Sequence, residues 1–106
     1  MWLFTKRGFF SAVQNCDDSK LIHVRARFKG DLERLCEAYR LEPSVASVPG
    51  ADYPYRMDFP RETWASIVKS EAEEIDYPNF KNAVHEGTDR DAAYMSVWFE
   101  LKKRQN

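Results

Sequence analysis

The stretch from Leu21 to Lys29 constrains the fold more than any other part of the chain, because apolar and basic side chains alternate along it. The apolar positions are Ile22, Val24, Ala26 and Phe28. The basic positions are His23, Arg25, Arg27 and Lys29. Since successive side chains of a strand point to opposite faces of its sheet, the pattern predicts a strand with one wet face, as in antiparallel sheets. We expect Phe28 to be buried and Arg25 and Arg27 to be exposed.

Shorter segments on both sides of this stretch predict further strands. Residues 1–5 and 9–14 are apolar and aromatic, and they flank Lys6–Gly8, where we expect a turn with the glycine at positive φ. Residues 45–48 and 53–59 predict another strand pair. The sequence therefore predicts an antiparallel sheet of four to five strands.

Four segments predict helices. Asp31 is placed to cap a helix over residues 32–40, and Pro60 suits the first turn of a second helix that ends near Glu74. Asp76 or Tyr77 is expected to cap a short third helix. A last helix is predicted to follow the capping-box pattern of residues 88–91 and to end at residues 102–104.

The apolar side chains of the second and last helices are expected to face inward, and Trp64 and Trp98 are expected to be largely buried. The inward set of the second helix is Trp64, Ile67, Val68 and Ile75. The inward set of the last helix is Ala92, Tyr94, Met95, Val97, Trp98 and Leu101. The outer side of the second helix is expected to carry Glu71, Glu73 and Glu74.

Together these segments predict a single α+β domain over residues 1–106, with helices packed mainly on one face of the sheet. The chain has no apolar run of membrane-spanning length, and its first residues become charged too early for a signal peptide, so we expect a cytoplasmic protein. Cys16 is expected in a turn and Cys36 on a buried helical face, and their spacing fits no zinc site. A disulfide between them stays open at this point.

The basic face of the predicted strand, formed by His23, Arg25, Arg27 and Lys29, is the first candidate site. Neighbouring cations repel one another unless an anion or an acidic side chain lies opposite. Arginine forks match phosphate oxygens in pairs, but charged residues also commonly line wet sheet faces, where nearby carboxylates neutralise them. The formal net charge of −1 argues against a dedicated nucleic-acid binder. We therefore expect no binding of generic DNA or RNA at physiological salt.

Two further candidate contact sites are rich in aromatic residues. Tyr53, Tyr55 and Arg56 form a polar aromatic segment in which Arg56 is a candidate anion anchor; the alternative is that Arg56 simply pairs with Asp58. Trp2 lies in an aromatic hairpin and is a candidate for partner contact, because aromatic residues lead interface hot spots. The alternative for Trp2 is that helices cover it.

Enzymatic patterns are scarce. The sequence has no Gly-rich phosphate loop, no H-E-x-x-H and no G-x-S-x-G. Neither His23 nor His85 lies at metal-ligand spacing from an acidic residue or a cysteine in the sequence. We therefore assign no catalytic residue, cofactor or metal, and predict a non-enzymatic binding or regulatory module that contacts a protein partner. The alternative is nucleic-acid or phosphorylated-ligand binding through the basic strand face. An exposed apolar patch would favour a protein partner, whereas unpaired Arg25 and Arg27 would favour a phosphate ligand.

Three segments together resemble a family of small bacterial or phage-borne hypothetical proteins. They are MWLFT at residues 1–5 with GFFS at 8–11, ADYPYR at 51–56, and IDYPNFK at 75–81. The resemblance covers most of the chain and implies a bacterial or phage origin. Since the family has no assigned activity, the resemblance implies no functional residues.

Overall fold

The computed structural model describes residues 1–84 and 89–105 of the chain. His85 and the start of the predicted capping box at Thr88 lie outside the described residues. The chain forms two compact units, one of residues 1–75 and one that begins at residue 76.

The first unit contains one antiparallel sheet of five strands, which confirms the predicted α+β class. The strands are β1 (Trp2–Phe4), β2 (Phe9–Gln14), β3 (Leu21–Ala26), β4 (Ala46–Ser47) and β5 (Tyr55–Pro60). Their order across the sheet is β1-β2-β3-β5-β4. Every pair of neighbours is antiparallel.

Two helices of the first unit, α1 (Lys29–Ala38) and α2 (Arg61–Glu73), pack against the sheet. The core is built from alternate side chains of the central strands and the apolar stripes of these helices: Phe10, Ala12, Ile22, Val24, Ala26, Leu32, Leu35, Cys36, Met57, Phe59, Trp64 and Ile67. Burial of these apolar side chains is the main force that holds the helices on the sheet. We call the sheet face that carries α1 and α2 the inner face, and the opposite face the outer face.

The alternation along β3 is confirmed for Ile22 and Val24, which are buried, but the predicted burial of Phe28 is wrong. β3 ends at Ala26, and Phe28 precedes α1 in an extended conformation with its side chain 48% exposed. The helix begins at Lys29, earlier than predicted, so this lysine is not part of the strand.

Asp31 does not cap α1, because it lies inside the first turn with its carboxylate buried. The backbone N–H of Phe9 donates to Asp31 Oδ2 at 3.1 Å, and Arg34 pairs with Oδ1. Gly8 does not have the positive φ that we expected. A Cβ at Gly8 would lie 2.7 Å from Asp31 Oδ2, so the position requires glycine because of the space that the carboxylate occupies.

The prediction for the outer side of α2 is wrong at Glu71, whose side chain is only 5% exposed. Tyr39 Oη donates to Glu71 Oε2 at 2.8 Å, and Arg7 pairs with Glu71 and, at 2.9 Å, with Glu74. Burial raises the pKa of Tyr39, and the hydrogen bond to Glu71 raises it further. Trp64 is buried as predicted, whereas Ile75 is exposed because it lies beyond the end of α2.

The second unit contains α3 (Phe80–Ala83) and α4 (Asp89–Lys103). Asn79 caps α3 in place of Asp76 or Tyr77, and its side chain accepts a hydrogen bond from the backbone N–H of Asn82 at 3.2 Å. Tyr94 of α4 is buried as predicted. The inward assignment is wrong for four residues of α4, which are exposed: Ala92, Val97, Trp98 and Leu101. The single turn of α3 has too little apolar surface to cover a helix of 15 residues.

Candidate functional site on the outer sheet face and the last helix

The sheet register places four side chains next to one another across the outer face. Trp2 lies opposite Ser11, Ser11 opposite Arg25, and Arg25 opposite Arg56. We call these four residues the arginine row. Trp2 is 69% exposed, Ser11 is buried, and both arginines are partly buried. Residues that are remote in the sequence therefore form one continuous strip on the sheet.

Tyr53, which is buried just before β5, connects the arginine row to neighbouring aromatic side chains. The guanidinium carbons of Arg25 and Arg27 lie 4.8 and 4.5 Å from the centroid of its ring, which is cation–π distance. Phe9 lies 6.2 Å from Tyr53 and 5.8 Å from Trp2 between ring centroids. Five of the six predicted contact residues therefore lie on the outer face: Trp2, Arg25, Arg27, Tyr53 and Arg56. The sixth, Tyr55, packs against the core on the inner face.

Part of the basic face is neutralised by carboxylates. His23 Nδ1 lies 2.9 Å from Asp58 Oδ1, and Arg27 Nη1 lies 3.0 Å from Asp52 Oδ1. Lys29 belongs to α1 and not to the strand. The four-residue basic face predicted from the sequence is therefore not present as one uncompensated surface.

Arg25 and Arg56 differ from these neighbours, because neither has a carboxylate partner within 4.0 Å among residues 1–84 and 89–105. Arg25 donates to Ser11 Oγ at 2.9 Å, and Arg56 Nε donates to the backbone oxygen of Tyr53 at 3.0 Å. The pairing of Arg56 with Asp58 considered from the sequence is wrong, because Asp58 accepts hydrogen bonds from other neighbours.

Two opposing effects set the pKa of Asp58. Burial alone would raise it, but hydrogen bonds from His23 and Asn15 outweigh burial and hold the pKa of Asp58 below its ordinary value. Its carboxylate therefore stabilises the fold at pH values above the ordinary aspartate pKa. This contribution is lost as the pH falls through the lowered pKa. It is small, because the side chain is partly exposed.

We expect His23→Gln to raise the pKa of Asp58 toward its ordinary value, because the substitution removes the imidazole whose hydrogen bond and charge interaction lower that pKa. The measurement is a pH titration of the Asp58 carboxyl carbon by NMR. Arg27→Gln is the matched control, because this residue pairs with Asp52 and not with Asp58. An Asp58 pKa that is equal in the wild type and the His23 variant would contradict the assigned contact.

The helix α4 carries a second candidate surface. Val97, Trp98 and Leu101 continue, toward the C-terminus, the same helix face on which Tyr94 is buried. These three are exposed: Trp98 by 36% and Leu101 by 68%. Phe99 is also exposed, and its ring centroid lies 5.0 Å from that of Trp98. We call Val97, Trp98, Phe99 and Leu101 the α4 patch.

Two lysine side chains lie against the Trp98 ring of the α4 patch. Lys81 Nζ and Lys102 Nζ lie 4.2 and 4.9 Å from the centroid of the Trp98 ring. A groove of about 430 Å³ beside this ring is lined by Trp98, Leu101, Lys102 and Gln105. Helical spacing predicted that most of the patch, Val97, Trp98 and Leu101, would lie in the core. The consecutive apolar residues 97–99 were the signal to the contrary, because three successive positions of a helix cannot all face one core.

No group of three or more His, Cys, Asp or Glu side chains in the part of the chain that the structure describes is placed to hold a metal ion. Cys36 is buried and its thiol donates to Met57 Sδ at 3.5 Å. Burial raises the pKa of Cys36, so this thiol stays protonated and is a poor nucleophile. Cys16 is exposed, and both cysteines are free thiols. None of the helices within residues 1–84 and 89–105 is long and apolar enough to cross a membrane.

A scan against protein-family models and searches of curated proteins and of solved structures found no match to this chain. The resemblance of residues 1–11, 51–56 and 75–81 to small bacterial or phage-borne proteins therefore stays a prediction.

Proposed function

We propose that this protein is a small non-enzymatic binding module that docks a protein partner on the α4 patch. The observation that carries the proposal is that one face of α4 is buried at Tyr94 but exposed one turn later, at Val97, Trp98 and Leu101. Contiguous exposed apolar surface of this kind marks interaction sites in soluble proteins. Tryptophan is among the residues most enriched in interface hot spots, which makes Trp98 the expected anchor.

The surroundings of Trp98 indicate the chemistry of the partner. Lys81 and Lys102 both lie over its ring, and neither has a carboxylate within 4.0 Å among the described residues. Lys103 and Arg104 differ, because Glu100 pairs with both. A partner segment that places an apolar side chain in the groove and carboxylates beside these lysines would complement the surface in shape and charge.

Binding of nucleic acid through the basic strand face has less support. Two of the four predicted cations, His23 and Arg27, already have carboxylate partners, and Lys29 lies on a helix. The proposal includes a cytoplasmic location. The two free cysteines, Cys16 and Cys36, support it, because thiols stay reduced in the cytosol.

The test is a comparative affinity capture from cells of the organism of origin, followed by mass spectrometry. Wild-type protein is compared with Trp98→Ser/Leu101→Ser, and we expect the double variant to lose the bound protein. The matched control is Phe28→Ser, because Phe28 is also an exposed apolar side chain but belongs to the first unit and is not part of the α4 patch. The captured protein is then expressed, and its affinity for all three chains is measured by calorimetry.

The three affinities decide whether the captured protein binds the α4 patch. A protein that binds the wild type and the Phe28 variant with equal affinity, but not the α4 variant, supports the proposal. Equal capture by all three chains contradicts it. Two further measurements test other occupants of the patch. Sedimentation would detect self-association through α4. Flotation with anionic vesicles would detect binding of the protein to a lipid surface. If the wild type self-associates or binds vesicles and the double variant does not, a second copy of the chain or a membrane would replace the protein partner as the occupant of the patch.

A further inference from the structure

We propose that the arginine row binds a phosphate-type dianion between the guanidinium groups of Arg25 and Arg56. This site is on the outer sheet face and is independent of the α4 patch and of the function proposed for it. The ligand class is a phosphate group, either free or as a monoester.

The first reason is the arrangement of charge. Arg25 and Arg56 lie directly opposite each other on β3 and β5. Side chains at such positions are in contact range, and like charges there destabilise a sheet. The neighbouring cations His23 and Arg27 are compensated by Asp58 and Asp52. Within residues 1–84 and 89–105 no carboxylate compensates Arg25 or Arg56, so two positive charges lie together at this point. A dianion would balance both charges, whereas a carboxylate would balance only one.

The second reason is the supply of unused donors. Each guanidinium group has five N–H donors, and each of these two makes one hydrogen bond within the described residues, to Ser11 Oγ or to the Tyr53 backbone oxygen. Arg25 Nε is buried and has no acceptor in the part of the chain that the structure describes. A buried N–H without a partner is unfavourable, so an oxygen acceptor at this position would be stabilising. Phosphate oxygens match arginine forks in pairs.

The third reason is the fixed position of the two arginines. Arg25 stacks on the Tyr53 ring at 4.8 Å, and Arg56 is held by the backbone oxygen of the same residue. Both side chains are partly buried and lie on strands in the middle of the sheet, so little freedom remains to be lost on binding. Trp2, exposed at the end of the row, lies two strands from Arg25, so only a substituent that extends along the row past Ser11 would reach it.

The experiment follows the side-chain Nε–Hε signals of Arg25 and Arg56 by NMR during titration with inorganic phosphate. Ionic strength is held constant with sodium chloride, and a parallel titration uses acetate. We expect saturable shifts of both signals with phosphate and an affinity for acetate that is lower by about tenfold, the scale of one charge-assisted hydrogen bond. O-phosphoserine tests the monoester, and tighter binding than that of inorganic phosphate would identify a phosphorylated ligand as the source.

Two variants each remove one arginine, and phosphate binding is followed through the Nε–Hε signal of the one that remains. Arg56→Gln is followed through Arg25, and Arg25→Gln through Arg56. We expect each to weaken phosphate binding about tenfold or more, and Arg56→Lys to weaken it as well, because lysine keeps the charge but loses the fork. Arg61→Gln is the matched control, since Arg61 also bonds only to neutral oxygens among the described residues but lies opposite no second arginine. Backbone amide spectra confirm that each variant is folded. The absence of saturable shifts, equal affinity for acetate, or full binding by Arg56→Gln would overturn the proposal.

Discussion

Replacing Phe10 with alanine is expected to lower the free energy of unfolding by about 3–5 kcal/mol. Phe10 is fully buried on β2 and belongs to the core cluster that joins the sheet to α1 and α2. Its truncation removes the transfer free energy of a large aromatic side chain and leaves a cavity that the surrounding strands cannot close. Folded domains are typically stable by only about 5–15 kcal/mol, so this single change would remove a large share of the total.

Phe28→Ala is the matched control for Phe10→Ala, because it deletes the same atoms from an exposed side chain. We expect it to change the free energy of unfolding by less than about 1 kcal/mol. Urea denaturation followed by circular dichroism measures both variants. Equal losses for the two substitutions would show that the structure assigns one of these phenylalanines to the wrong environment.

The second large effect is expected for Asp31→Ala, with a loss of about 2–4 kcal/mol. The carboxylate accepts the backbone N–H of Phe9 and pairs with Arg34, so it joins the β1–β2 hairpin to the first turn of α1. Its removal leaves the partly buried N–H of Phe9 without this acceptor and the guanidinium of Arg34 without this anion. We expect Asp31→Asn to lose less, because the amide oxygen still accepts the hydrogen bond from Phe9.

The control for Asp31 is Asp17→Ala, which removes an exposed carboxylate from the β2–β3 turn and is expected to cost less than about 0.5 kcal/mol. The same denaturation experiment compares the three variants. If Asp31→Ala were as stable as Asp17→Ala, the hairpin would not depend on this contact. Gly8→Ala provides an independent check, because its methyl group would collide with the Asp31 carboxylate.

The alternation of residues 21–26 was sufficient to predict a strand with one apolar face, because the period of two is a local property of the chain. The end of that strand could not be predicted in the same way. The pattern continues to Lys29, but Phe28 is already outside the strand and Lys29 begins α1. What holds the first turn of this helix is the contact of Asp31 with Phe9, 22 positions earlier, and no local pattern records a contact of that range.

The candidate sites also combine local patterns, which the sequence shows, with contacts between remote residues, which it does not. Arg25 and Arg56 could each be selected from the sequence, since both lie in predicted strands. Their direct opposition depends on β3 and β5 being neighbours in one particular register, although α1 and β4 separate them along the chain. Helical spacing likewise predicted Trp98 as a core residue. Spacing identifies a common face of a helix but not whether enough chain is present to cover that face.

The lengths of the edge strands have a consequence for how this protein associates with others. β1 and β4 are the shortest strands of the sheet, with three and two residues, and they lie at its two edges. Each covers only part of a longer neighbour, because β4 pairs with Tyr55 and Arg56 of β5, and β1 pairs with the first three residues of β2. Edge strands this short offer a foreign peptide few backbone hydrogen bonds, a common protection against edge-to-edge aggregation. The edge strands themselves therefore give a foreign strand little backbone to pair with by β-augmentation.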